Sequence, residues 1–204
     1  MALKTTMYSQ KNKNHLLILG IFGMSVIPFL IAWGLKENPQ LLKGQTNHGQ
    51  LITPPLTTER SDLSGFDPFT TDNMGELSGH WLLVNVIPNG ECHESCITAI
   101  HKTKQLRLML NKELTRTRRI VMVLKEVAPE TASTWWQDDK TLLRVKVNDA
   151  VAKKIAAIRQ GIIPDGMLLL MDPLGNLMMQ YEPGFDPYNV KSDLMHLLRI
   201  SQIG

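Results

Sequence analysis

The chain has 204 residues, 43% of them hydrophobic and 20% charged, with only two cysteines. That is room for one ordinary domain plus an anchor, and it excludes collagen-like, wholly disordered and disulfide-dense scaffolds. The formal charge of +3 is carried by Lys4, Lys11 and Lys13, and the remainder holds 19 residues of each sign, so the electrostatic footprint of a nucleic-acid partner is missing.

Residues 1–14 read as a short basic N-terminus. From His15 to Gly34 the sequence HLLILGIFGMSVIPFLIAWG has no charged residue. About 20 helical residues at about 1.5 Å each span about 30 Å, the hydrocarbon thickness of a bilayer. Pro28 is tolerated in a membrane helix, and Trp33 suits the interface. The lysines on the near side predict a cytoplasmic N-terminus, so that the rest of the chain faces the periplasm as a single-pass protein of the inner membrane. A cleaved signal peptide would have an apolar region of about 7–15 residues and a small-x-small site, of which Ala32-Trp33-Gly34 is a poor version. Residues 35–61, rich in Gln, Asn, Thr, Gly and Pro and without sustained period, read as a tether.

The domain is expected over 62–204. Trp81–Ile87 is a short apolar run closed by Pro88-Asn89-Gly90, the pattern of a buried strand. The cysteines follow, and then a helix from about Glu94 to Thr115 with Ile97, Ile100, Leu106, Leu110 and Leu114 on its apolar face. The short cluster Arg116, Arg118, Arg119 reads as a solvated helix end. Arg119–Leu124 is a second buried strand, and Leu142–Val147 an additional short one. Trp135-Trp136 has no period to explain it. Asn148 is an N-cap for a helix carrying Val151, Ile155 and Ile158, with Gly161 at C′. Met167–Met171 and Leu177–Tyr181 flank Asp172-Pro173-Leu174-Gly175-Asn176 and predict a β-hairpin whose methionines fill the core. Asp186-Pro187 caps a last helix with Val190, Leu194, Leu197 and Leu198 inward. The order β, α, β, α, β, β, α, with the cysteines at the first strand-to-helix junction, is that of an α/β thioredoxin-like fold.

Leu77–Asn85 (LSGHWLLVN) resembles the opening strand of extracytoplasmic thioredoxin-like proteins, and Met171–Leu177 resembles their Asp-Pro-x-Gly hairpin. The three residues between Cys92 and Cys96 match the spacing of the Sco/SenC group, membrane-anchored proteins that deliver copper to, or adjust thiols of, cytochrome c oxidase. The resemblance covers about residues 62–204. It implies copper as the candidate ion and a respiratory oxidase subunit as the partner. That group also carries a third copper ligand, a histidine, shortly before the hairpin. Here the corresponding stretch Gly161–Gly166 has none. Pro164 stands about where the ligand would be, and where thioredoxins place a cis-proline facing the disulfide.

Close cysteines in an exported domain read as a pair. Helical positions i and i+4 have Cβ atoms about 5–6 Å apart, whereas a disulfide needs about 3.5–4.5 Å. Cys92 therefore belongs in the loop, folded over the first helical turn that carries Cys96. That arrangement suits a reversible disulfide, and equally two thiolates on a soft cation such as Cu(I), with His93 as a candidate nitrogen ligand. The helix N-terminus stabilises a thiolate in either case, and position makes Cys92 the accessible sulfur and Cys96 the resolving one. Three roles are expected from this pattern: a reductant or copper carrier in oxidase assembly, a general thiol oxidoreductase for other exported proteins, or a redox-inert interaction protein.

Overall fold

The computed structural model describes residues 3–38, 47–136 and 139–201. The chain divides into two compact units, Met1–Thr46 and Asn47–Gly204. The first is built on one helix, α1 (Leu3–Glu37). Its segment Leu17–Glu37 is, among the described residues, the one helix long and apolar enough to cross a membrane, and none of it is buried within the protein. Phe22, Phe29 and Trp33 all project outward. Such a surface is stable against lipid rather than water, as in a single-pass anchor.

The second unit is organised by β3 (Trp81–Ile87), all seven residues of which are buried. Its even-numbered side chains, Leu82, Val84 and Val86, join one apolar cluster with Val151 and Ile155. These last two belong to α5 (Asp149–Ile158). On the opposite face Trp81 and Leu83 pack with Ala99 and Leu106 of α3 (Glu94–Leu108) and with Val190, Leu194 and Leu198 of α6 (Pro187–Ile200). Period-two alternation thus buries both sides of one strand, which is what a sheet covered by helices on both faces requires.

The remaining strands are β1 (Gln50–Thr57), β2 (Leu63–Gly65), β4 (Thr117–Val123), β5 (Leu142–Val147), β6 (Leu168–Met171) and β7 (Asn176–Tyr181). They form a seven-stranded sheet in the order β1-β7-β6-β3-β4-β5-β2. The pairs β3·β4 and β4·β5 are parallel; β3·β6, β6·β7, β1·β7 and β2·β5 are antiparallel. Met167, Met171 and Met179 fill the core as expected. Asn148 caps α5 by accepting from Val151 N at 2.9 Å, and Asp186 caps α6 by accepting from Tyr188 N at 2.9 Å.

Four expectations need correction. The tether expected over 35–61 is shorter: residues 39–46 lie outside the described residues, but the compact unit begins at Asn47 and Gln50–Thr57 is strand β1. Pro54 and Pro55 hide this strand from a period search, yet an edge strand tolerates them because one row of its N–H groups has no sheet partner. The register slips between Leu51 and Leu56 to pass them. The arginine cluster is no solvated helix end. Arg119 lies in β4 with no exposure, donating to Asp139 Oδ2 (2.8 Å), the Ile100 carbonyl (2.9 Å) and Thr141 Oγ1 (3.2 Å). Burial opposes ionisation of Asp139, but the Arg119 and Thr141 hydrogen bonds and the Arg119 charge outweigh it and hold that carboxyl at about 2. The helix expected to run to Thr115 ends at Leu108 and continues as a 3-10 turn over Asn111–Arg116. Gly161 falls one residue beyond C′. Gln160 takes the left-handed C′ position (φ 54°), and Gly161 N bonds the Ala156 carbonyl at 2.8 Å in a Schellman close.

The start of the domain is held to its last helix by one carboxylate. Asp193 of α6 accepts from His48 N (2.9 Å), Gly49 N (2.9 Å) and Tyr181 Oη (2.8 Å). Burial works against its charge, but these donors prevail and hold it below the ordinary carboxylate range. A depressed carboxyl contributes stability that is complete above the ordinary value and is lost as pH falls through the lowered one. Asp193→Asn is therefore expected to lower unfolding free energy by roughly 1.5–3 kcal/mol in denaturant titrations. It should also flatten the acid limb of the stability profile.

Candidate active site

Strand β3 delivers the chain to Pro88-Asn89-Gly90, a turn in which Gly90 adopts φ +73°. Cys92 follows in the loop, His93 is the N-cap, and Cys96 sits in the first turn of α3. The two sulfurs are bonded, with Cα atoms 5.2 Å apart. The loop position of Cys92 supplies the closeness that an uninterrupted helix denies. Cys92 keeps 8% of its surface exposed and Cys96 only 2%. Both cysteines are thus buried, Cys92 less completely.

The disulfide is one end of an apolar cluster that includes Ile87, Ile100, Val121, Val123, Ala132, Trp135 and Trp136. The tryptophans come from α4 (Pro129–Trp136), a helix inserted between β4 and β5. Trp135 and Trp136 meet edge-on at 5.7 Å between ring centroids, and Trp136 meets Phe66 at 5.6 Å. Arg144 lies over the Trp136 ring at 5.4 Å and pairs at 2.9 Å with Asp67, the N-cap of the short helix α2 (Pro68–Asp72). The tryptophans thus belong to the same buried cluster as the sulfurs, a placement that the spacing of Trp135-Trp136 alone did not reveal.

The other wall is the loop before β6. Gly166 has φ +85°, and a Cβ there would come within 2.7 Å of the Ser95 carbonyl oxygen. Only glycine allows this loop to lie against the first turn of α3. The contact brings Asp165 to the helix end, where its Oδ2 accepts from Ser95 Oγ (2.5 Å) and from Cys96 N (3.2 Å). His93 supplies no side-chain cap, so the carboxylate of Asp165, 69 residues beyond Cys96 in sequence, takes that part. Asp165 Oδ1 is shielded from solvent without a hydrogen-bond partner. Sequence inspection missed this carboxylate, although an acidic residue between Pro164 and a glycine just before a buried strand was a usable signal.

The structure places Pro164 in this loop, but not with the geometry expected of it. The cis bond among the described residues is Thr53–Pro54, so Ile163–Pro164 is trans. The wall facing the first turn of α3 is made by Asp165 and Gly166 instead. His93 is mostly exposed and lies 3.3 Å from Glu91, an equally exposed partner. Among the described residues no group of three or more His, Cys, Asp or Glu side chains is placed to hold a metal ion.

A mixed sheet with helices on both faces, a terminal hairpin and a closed Cys-x-x-x-Cys bridge between β3 and α3 define a thioredoxin-like protein. Its chain belongs to the family described as the transmembrane-like, thioredoxin-like, C-terminal domain, whose model matches residues 81–201. Among solved structures, the copper-bound ScoI of Arabidopsis thaliana is similar at 12% identity and a TM-score of 0.47, over 62% of this chain and 89% of that one. Apo Sco1 of Thermus thermophilus is similar at 15% and 0.48, over 74% and 96%. The thioredoxin domain of a thiol-disulfide oxidoreductase from Bacteroides vulgatus is similar at 16% and 0.44, over 59% and 82%. No curated protein matches the chain.

A disulfide quenches nearby indole fluorescence, and the tryptophan pair shares a packed cluster with the sulfurs. Reduction is expected to raise tryptophan emission of the full chain. In Trp135→Phe/Trp136→Phe the rise should disappear, as steady-state fluorescence in oxidised and reduced buffers will show.

Proposed function

We propose that this chain is a single-pass membrane protein whose thioredoxin-like domain carries out thiol–disulfide exchange on the extracytoplasmic face. The observation that carries this reading is the Cys92–Cys96 bridge between a loop and the first turn of α3. A bridge closing so small a loop removes little unfolded-state entropy, so stability is a weak reason for it. The helix N-terminus beside it favours the thiolate through which exchange proceeds. The lysines before α1 support a cytoplasmic N-terminus, and an extracytoplasmic compartment is where disulfides persist.

In the exchange, the Cys92 thiolate attacks a sulfur of the target disulfide. One target thiolate leaves and a mixed disulfide forms. Cys96, as thiolate, then attacks the Cys92 sulfur and releases the second target thiolate, which takes up a proton. Two electrons pass to the target, and Cys92–Cys96 is left as the disulfide. A dithiol donor returns the pair to the reduced state by the reverse sequence.

Copper fits these residues less well. Carrier chemistry needs both sulfurs free and a further soft donor, and His93 is turned to Glu91 at the surface. The carboxylate of Asp165 is a hard ligand and is engaged by Ser95 and the Cys96 N–H. Resemblance to the Sco/SenC group makes thiols of a respiratory oxidase subunit the first target to test, and other exported thiol proteins, such as c-type cytochromes, the second.

With purified full-length protein and a disulfide-bonded peptide, Cys96→Ser is expected to accumulate a mixed disulfide. Cys92→Ser should trap none and should exchange no faster than the double mutant. Wild-type exchange rates in both single mutants would make the domain a redox-inert interaction protein. In cells, loss of oxidase activity on deletion would assign the oxidase target, and unchanged oxidase would leave the other exported thiols.

A further inference from the structure

A carboxylate seated at the end of a helix that should stabilise a thiolate calls for explanation. Unpaired N–H groups and the positive dipole end at the start of α3 are the features that lower a cysteine pKa in this fold. In this chain they are partly taken. Asp165 Oδ2 accepts from the Cys96 N–H at 3.2 Å and from Ser95 Oγ at 2.5 Å. The Cys96 sulfur is three covalent bonds from that nitrogen. The contact is imposed rather than incidental, because Gly166 presses the loop so close that a Cβ would meet the Ser95 carbonyl carbon at 2.9 Å. The second oxygen, Oδ1, is shielded and unpartnered. It leaves one acceptor shielded from water on a half-buried carboxylate, where charge is felt somewhat more strongly than in bulk solvent.

From this geometry we infer that Asp165 sets the redox equilibrium of the Cys92–Cys96 pair, acting as a positioning residue that disfavours the thiolate and so favours the disulfide. The inference rests on the thiol-exchange reading and deepens it. A negative group beside a thiol opposes a second negative charge, so the thiol of the reduced pair holds its proton to higher pH. At neutral pH, anything that weakens the thiolate weakens the reduced form, and the reduced pair becomes the stronger electron donor. The opposite case is a thiol pair whose reduced form is stabilised, which is a strong oxidant. Ser95 moderates the effect, because its hydroxyl donates to the carboxylate and draws off part of its charge. The two residues thus act in opposite directions on one equilibrium. Asp165 makes the protein a reductant, and Ser95 limits how strong a reductant it is.

The test uses the full chain in detergent micelles, with Asp165→Asn, Asp165→Glu and Ser95→Ala compared with wild type. Thiolate absorbance against pH gives the thiol midpoint, and equilibration in glutathione buffers gives the redox constant. Asp165→Asn keeps an acceptor for the Cys96 N–H but removes the charge. It is expected to lower the thiol midpoint by about one unit. It should also shift the equilibrium toward the dithiol, by at most about tenfold, which is about 30 mV less negative. Asp165→Glu is expected to stay near wild type. Ser95→Ala is expected to shift both readouts the other way, by roughly threefold in the constant. A purely structural cap would change thermal stability in Asp165→Asn and leave both redox readouts unmoved, which would overturn the inference. If Asp165→Asn does not fold, Ser95→Ala decides by the sign of its shift, and no shift overturns the inference. Wild-type protein that fails to equilibrate with glutathione at all would sink the exchange reading itself, and that outcome is visible before any variant is compared.

Discussion

Everything in the domain follows from burying both faces of β3. A strand with seven consecutive buried residues needs apolar cover above and below, and its backbone groups need neighbours on each side. Parallel β4 on one side demands a crossover, which α3 provides; antiparallel β6 on the other follows a crossover by α5. Side chains of β3 then sort by parity: the even-numbered ones lie under α5, while of the odd-numbered ones Trp81 and Leu83 lie under α3 and α6 and Ile87 joins the cluster of the disulfide. The chain leaving β3 must turn at once to enter α3, and this forced turn is where the sulfurs lie. The location of the chemistry is thus a by-product of the core.

What the site adds is contact between segments remote in sequence. The first turn of α3 is fixed from below by the tryptophans of α4 and from the side by the loop before β6. Buried polar groups reinforce the same helix. Arg119 reaches from β4 to the Ile100 carbonyl, and Asn85 donates to Thr103 Oγ1 at 3.0 Å. Low dielectric makes such bonds strong when made and damaging when broken. A helix gripped this way presents its N-terminus in one place, which exchange chemistry needs because attack on a disulfide requires aligned sulfurs.

Much of this was legible in the residues, and the rest was not for physical reasons. Trp81–Ile87, Asn148 and Asp186-Pro187 were readable because the interactions that fix them are local: alternation within a strand, or a side chain reaching three residues or fewer along a helix start. Arg119 was misread because its partner Asp139 is 20 positions away, and a guanidinium without a visible counter-ion reads as solvated. Strand β1 reads as tether because its sheet partner, β7, lies more than a hundred residues on, while its prolines mimic a linker. The cysteine pair was legible from spacing. The wall beside it was not, because the closeness of Asp165 to Cys96 exists only once two crossovers have been folded.

The two prolines of β1 have a consequence beyond local geometry. A sheet edge with a free row of donors invites strand addition from another molecule. Here one edge ends in a strand that carries Pro54 and Pro55 and has mostly exposed side chains, and the other ends in β2, only three residues long. Proteins confined to a bilayer meet their own copies at an effective concentration far above that of free diffusion in three dimensions. Blunt edges at both ends of the sheet let such domains crowd on a surface without zipping into fibres.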